Sequence, residues 1–146
     1  MQPIALKIAY IGGGSRGWAQ MLMRDLALCP DLTGEVRLYD TNLASAQRNE
    51  AFGNWIQEQP GVTSRWTYRA IEGIEEALTG ADLVFISIQP GTFEMMGHEL
   101  ATAEKYGLFF PVGDTTGVPG LMRGLRSAII YSGFAEAIAT HCPRRG

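Results

Sequence analysis

Cysteine is nearly missing: Cys29 and Cys142 are the only two in 146 residues. They form no CxxC pair, which excludes a zinc-ribbon or thiol-redox reading. No disulfide framework is expected, the start of the chain carries no signal-peptide pattern, and a reducing cytoplasm is the expected compartment. Histidine stops at two, His98 and His141, so no metal centre is expected within these residues. Basic runs are absent and the net charge is -3, which speaks against nucleic acid and against a membrane surface as partners. No apolar run nears the roughly 20 residues that span a bilayer. Internal repeats and low-complexity linkers are absent as well.

What the chain does have is alternation. Apolar residues make up 46% and charged residues 18%, a balance that suits one domain over residues 1–146 with a sizeable core. Residues 5–11 are almost all apolar and predict a strand buried on both faces, followed at once by a glycine-rich loop. Residues 15–29 carry a helical stripe of Trp18, Leu22, Leu26 and Cys29, stopped by Pro30. Strands are expected at 35–39, 65–69 and 82–88, and helices at 42–59, 71–78, 93–106 and 121–141, with an irregular loop over 107–120. The order β-α-β-α-β-α-β-α-α predicts a Rossmann-type, doubly wound parallel sheet with strand order 3-2-1-4. A full sheet of that kind has further strands, so truncation after about four is expected.

The first loop holds Gly12-Gly13-Gly14-Ser15-Arg16-Gly17. Gly12, Gly14 and Gly17 satisfy G-x-G-x-x-G between a strand and a helix, the context in which the pattern binds a dinucleotide. The first glycine would allow the turn, the second the approach of a pyrophosphate, the third close packing of helix on strand. The helix start offers unpaired N–H groups to phosphate, with Ser15 placed to cap or donate. Asp40 stands twenty-three residues after Gly17, at the end of the second strand. A carboxylate there bonds the ribose hydroxyls and repels a 2′-phosphate, which makes NAD the expected cofactor. Ile88, Gln89 and Pro90 end the fourth strand and are expected to line the same crevice. Two plainer readings stay open: a ligand-free left-handed turn for the glycines, and a helix N-cap for Asp40.

Several segments together resemble a known family. They are Lys-Ile-Ala-Tyr-Ile-Gly-Gly-Gly-Ser at 7–15, Gly-Ala-Asp-Leu-Val-Phe-Ile-Ser-Ile at 80–88, Glu-Lys-Tyr-Gly at 104–107, Gly-Asp-Thr-Thr-Gly at 113–117 and Gly-Leu-Met-Arg-Gly-Leu-Arg at 120–126. Over about residues 5–142 the chain is similar to the N-terminal domain of the family 4 glycoside hydrolases, the NAD- and divalent-metal-dependent glucosidases, galactosidases and galacturonidases. The resemblance implies a sugar substrate cleaved by transient oxidation at C3, loss of the C2 proton and elimination, with hydride returned at the end. It implies that Asp114 lies near the sugar. Arg123, with Arg126 three residues on, is a further candidate for the substrate, a structural pairing with a carboxylate being the alternative. Relatives acting on 6-phosphorylated sugars tend to carry an Arg just after the fourth strand. The segment Gln89-Pro90-Gly91-Thr92 has none, which points to a non-phosphorylated, galacturonidase-type substrate.

The family's metal ligands, tyrosine base and acid lie beyond the matching residues. No catalytic residue is therefore expected here, manganese is expected only in the full-length enzyme, and the chain alone is expected to be inactive. His141 and Cys142 are adjacent, and neighbours on a helix point about 100° apart, so they do not chelate one ion. Trp18, Trp55 and Trp66 read as core or helix-packing residues. An uncovered fourth strand would present an apolar edge, so a homo-oligomer is expected. Two other readings share the sheet: a fragment of an NAD-dependent hydroxy-acid dehydrogenase, which Gly-Asp-Thr-Thr-Gly argues against, and a non-catalytic NAD-binding module.

Overall fold

The computed structural model describes residues 2–113 and 115–142. They group into two compact units. The first runs to Ile88 and takes up the chain again at Ala137, and the second is Gln89–Glu136.

The first unit is built on strands β1 (Ile4–Ile11), β2 (Leu32–Tyr39), β3 (Arg65–Ile71) and β4 (Leu83–Ile86), all parallel, in the order β3-β2-β1-β4. This is the strand order expected from the alternation. Helices α1 (Trp18–Ala27) and α2 (Leu43–Gln57) pack on one face. Ile8, Tyr10, Val36, Leu38, Trp66 and Tyr68 meet Ala19, Met23, Leu26, Ala46 and Ile56 there. The short α3 (Ile74–Leu78) lies on the other face, as right-handed crossovers require when the chain passes from β3 across the sheet to β4. Arg37, which alternates with the inward Val36 and Leu38, donates from Nη1 to the carbonyls of Glu76 (3.0 Å) and Thr79 (2.7 Å), and so closes the end of α3.

Two sequence expectations need correction. Only the second half of β1 is buried on both faces: Ile8, Ala9, Tyr10 and Ile11 are, whereas Ile4 is 62% exposed. The reason is register, because β4 pairs with β1 only from Ile8 onward. The inner stripe of α1 is Ala19, Met23, Leu26 and Ala27, and Trp18 is 68% exposed. Two small alanines let the helix lie close to the sheet, with Trp18 turned out. Trp55 is likewise exposed and stacks on Phe52, and only Trp66 of the three is core.

Part of the free edge of the outer strand β3 is met by amides of α2. Gln57 Oε1 accepts from Trp66 N (3.0 Å), and Asn54 both accepts from Tyr68 N (3.0 Å) and donates to Tyr68 O (2.9 Å). Those side chains block strand pairing over Trp66–Tyr68. On the other side, β4 pairs with β1 alone among the described residues.

The second unit holds α4 (Phe93–Glu104) and most of α5 (Gly117–His141). The expected loop over 107–120 gives way to helix at Gly117, four residues early. Pro119 sits in the first turn, where its missing N–H would have no helical partner anyway. No helix among the described residues is long and apolar enough to cross a membrane.

Tyr68 is 1% exposed, and burial pushes its phenol above the usual tyrosine value. A raised folded-state pKa means that stability is complete below about pH 10 and falls as the pH climbs beyond it, since only the unfolded chain ionises there. Melting curves between pH 8 and 11 should show Tm falling on the alkaline side. Tyr68→Phe should flatten that limb, and an unchanged slope would remove Tyr68 as its cause.

Candidate functional site

The strand registers bring three chain segments to one level. Ile11 is paired with Tyr39 on one side and with Ile86 on the other, so Gly12, Asp40 and Ser87 emerge together at the C-terminal end of the sheet. From β1 the chain turns to β2 and β3 on one side and later returns to β4 on the other. A switch of direction of this kind opens a crevice beyond the strand ends, where doubly wound sheets bind ligands.

Close approach dictates the start of the glycine loop. Gly12 has φ +93°, and a Cβ there would lie 2.1 Å from the Ser87 carbonyl oxygen and 3.1 Å from Ile88 Cγ2. At Gly13 a Cβ would lie 2.7 Å from that of Leu38. At Gly14 it would meet Ser45 Cβ at 2.6 Å and Asp40 Oδ2 at 2.8 Å, so the second glycine of the motif is demanded by the protein itself, before any ligand. Gly17 departs from its expected role, because a Cβ there meets nothing within 4 Å and does no helix–strand packing. It is exposed beside Arg16, at the N-cap of α1.

The backbone donors divide along the loop. Gly12 N and Gly13 N both donate to Tyr39 O, Ser15 N to Gly12 O, and Gly14 N to Asp40 Oδ2 (2.9 Å). Ser15 Oγ accepts from the N–H of Trp18 (3.2 Å), the first residue of α1, although the N-cap position itself is Gly17. Donation outward thus falls to Arg16 and Gly17 and, within the first turn of α1, to Ala19 and Gln20, since Trp18 N and Met21 N are used on Ser15 Oγ and Gly17 O. Asp40 is not the N-cap of α2. That position is Asn42, whose side chain accepts from Ser45 N, while Asp40 Oδ1 accepts from Asn42 N (2.8 Å). The carboxylate bridges the glycine loop and the start of α2 and keeps further lone pairs for hydroxyl donors.

Sequence reasoning missed Asn49. It is 2% exposed on α2, and its Nδ2 donates to Gly13 O (2.7 Å) and Ser15 O (2.8 Å) while Oδ1 accepts from Gln20 Nε2 (3.0 Å). The available signal was a polar residue inside the buried stripe Ala46, Asn49, Gly53, Ile56.

The structure therefore brings Gly12, Gly13, Gly14, Ser15, Arg16, Gly17, Asp40 and Ile88 together in the first unit. Gln89 and Pro90 follow Ile88 into the second unit. There Gln89 Nε2 reaches Met96 Sδ (3.7 Å), and Pro90 O accepts from Arg126 Nε (3.2 Å). Asp114 lies outside the described residues. Arg123 and Arg126 face the buried Glu99: Arg123 Nη2 is 3.3 Å from Oε2 and Arg126 Nη1 2.6 Å from Oε1. This is the structural pairing left open above. A pocket of 340 Å³ beside it is lined by Glu94, Met95, His98, Glu99, Met122 and Arg126. Cys142, just after α5, is a free thiol with Sγ 2.9 Å from Leu78 O, and burial pushes its pKa up, disfavouring the thiolate. Among the described residues no three His, Cys, Asp or Glu side chains come together as a metal ion would require, so a divalent cation finds no ligand set there.

A parallel 3-2-1-4 sheet with a glycine turn after its first strand defines a Rossmann-type protein of the dinucleotide-binding kind. Residues 7–145 match the family 4 glycosyl hydrolases, and the chain belongs to that family. An alpha-galacturonidase of Thermoanaerobacter italicus is 51% identical over 138 residues, covering 94% of this chain and 29% of that protein. The crystal structure of a Bacillus subtilis protein assigned as a glucosidase superposes with a TM-score of 0.86 at 42% identity, over 98% of this chain and 31% of the other. The 6-phospho-beta-glucosidase of Thermotoga maritima, solved with NAD and glucose-6-phosphate, has the same fold, with a TM-score of 0.78 at 23% identity over 95% of this chain and 32% of its own. The chain spans about 30% of the length of the curated relatives it matches.

The loop geometry separates its glycines by experiment. Gly12→Ala combines a backbone clash with a left-handed φ and should lower the unfolding free energy by about 3 kcal/mol or more. Gly17→Ala should change it by about 1 kcal/mol or less. Urea unfolding of the two variants checks this, and a similar loss in both would contradict the geometry.

Proposed function

We propose that this chain is the NAD-holding part of a glycosidase acting on α-galacturonides. The observation that carries the cofactor reading is the levelled strand ends, which set the glycine loop against the Asp40 carboxylate through Gly14 N and leave Arg16 and Gly17 exposed further along the loop. The donor set fits a dinucleotide. N–H groups at the start of α1 face phosphate, Asp40 accepts from the ribose hydroxyls, and Ile88 offers an apolar wall at the end of β4. A bound nicotinamide supplies a hydride acceptor for the sugar. The protein's part is to hold it in place and to select its ribose. The Thermotoga maritima relative solved with NAD supports the cofactor, and the alpha-galacturonidase at 51% identity supports the substrate class. The lack of an arginine in Gln89-Pro90-Gly91-Thr92 favours a sugar without a 6-phosphate.

Calorimetric titration is the test. NAD should bind at least about tenfold more tightly than NADP. Asp40→Asn keeps an acceptor and removes the charge, so it should narrow that gap mainly by improving NADP. Tighter NADP binding by the unmodified chain would sink the assignment.

The chain's contribution to glycoside cleavage is inferred to be cofactor holding, since its described residues group no metal ligands. With NAD, Mn²⁺ and reductant it should release no p-nitrophenol from α-galacturonide, α-galactoside or α-glucoside substrates. Metal-dependent release by the pure chain would refute this.

A further inference from the structure

We infer that Asn49 is a positioning residue for the dinucleotide: through the carbonyls of Gly13 and Ser15 it sets both the Arg16 N–H that faces phosphate and the Asp40 carboxylate that selects the ribose. The inference rests on the NAD reading above and gives it a mechanism. A trans peptide is planar, with its C=O and N–H pointing in opposite directions. The carbonyl of Gly13 shares its plane with the N–H of Gly14, and the carbonyl of Ser15 with the N–H of Arg16. Asn49 Nδ2 draws both carbonyls toward α2, at 2.7 and 2.8 Å. The two N–H groups are thereby turned away from α2. One of them, Gly14 N, donates to Asp40 Oδ2 at 2.9 Å. The other belongs to the exposed Arg16, at the open end of the loop.

Chemistry leaves few alternatives at this position. Asn49 is 2% exposed in the middle of a helix, where asparagine is a poor helix former and an unpaired amide is costly. Both Nδ2 hydrogens are used on the loop, and Oδ1 is held by Gln20 of α1. That third bond fixes which end of the amide faces the carbonyls. Aspartate, nearly the same shape, would present oxygen to two carbonyl oxygens. Alanine would leave both carbonyls without a donor. Asn54 supplies an internal control: it lies on the same helix and also bonds backbone through both amide atoms, but to Tyr68 of β3 and not to the loop.

The experiment measures Kd for NAD and NADP, together with Tm, for the 146-residue chain and its Asn49→Asp, Asn49→Ala, Gln20→Ala and Asn54→Ala variants. Asn49→Asp and Asn49→Ala should each weaken NAD by about tenfold or more and shrink the preference over NADP, because Asp40 loses its set position. Gln20→Ala, which leaves the loop bonds in place, should shift both quantities the same way by a smaller factor. It also keeps the test alive if the Asn49 variants do not fold. Asn54→Ala should lower Tm and leave Kd and nucleotide preference unchanged. If Asn49→Ala, or Gln20→Ala where the Asn49 variants do not fold, matches Asn54→Ala in losing Tm alone, Asn49 is merely structural and the inference falls while the NAD reading stands. Failure of the unmodified chain to bind NAD overturns both.

Discussion

Ile11 sits in register with Tyr39 on one side and Ile86 on the other, and the whole C-terminal edge of the sheet follows from that alignment. Because three parallel strands end level, the segments that leave them crowd one another. Gly12 runs under the Ser87 carbonyl, Gly13 lies against Leu38, and Gly14 touches Ser45 and Asp40. A side chain at any of the three would push the loop off the sheet. The glycine motif is therefore first a packing solution for closely spaced backbones. Any ligand site is what remains on the outside once the inner groups are satisfied.

The helix that makes the arrangement stable is α2, and it does so with amides. Asn49 bonds the glycine loop, while Asn54 and Gln57 bond the outer edge of β3. Each joins elements that no other backbone pairing connects. This explains why α2 looks weakly amphipathic in sequence: its inner face is part amide and part small residue, with Ala46 and Gly53 between the polar groups. Glycine at 53 also fits the approach of the Tyr68 ring, 2.6 Å from where a Cβ would stand. Burying an amide is favourable only when its hydrogen bonds are made. Asn49 and Asn54 use both ends of theirs, whereas Gln57 uses its Oε1 and leaves a buried Nε2 without a partner among the described residues. The register of α2 is therefore held chiefly at Asn49 and Asn54.

Much of this was legible from the sequence. The apolar stretch before Gly12, the turn glycines and the acidic residue closing the second strand gave strand order and loop correctly, because parallel alternation admits few topologies. The exposed Trp18 was not legible: residues 18, 22, 26 and 29 and residues 19, 23, 26 and 27 are both helical stripes, and only the space above the sheet chooses between them. The start of α5 was hidden because Gly117, Pro119 and Gly120 read as loop formers, although a first helical turn accepts proline readily. Asn49 escaped notice because its partners are backbone carbonyls thirty-six and thirty-four residues away, which no local pattern records.

On the proposed reading, Asp40 does two jobs that need the same atoms, and magnitudes show how they coexist. Its two oxygens already accept from Gly14 N and Asn42 N, but a carboxylate has about four lone-pair directions, so two hydroxyls of a ribose can still be received. Each such hydrogen bond to a charged acceptor is worth about 1.5–3 kcal/mol net, and a 2′-phosphorylated ribose forfeits one of them. A 2′-phosphate would instead bring a like charge to the same place. Two unit charges 4 Å apart near a protein surface repel by about 4 kcal/mol. Discrimination against a phosphorylated ribose therefore comes from repulsion more than from the bonds made to the correct one. Repulsion of that kind needs the carboxylate held close and unable to swing aside. The hydrogen bonds from Gly14 N and Asn42 N provide that restraint, and through Gly14 it depends on how the loop carbonyls are held from behind.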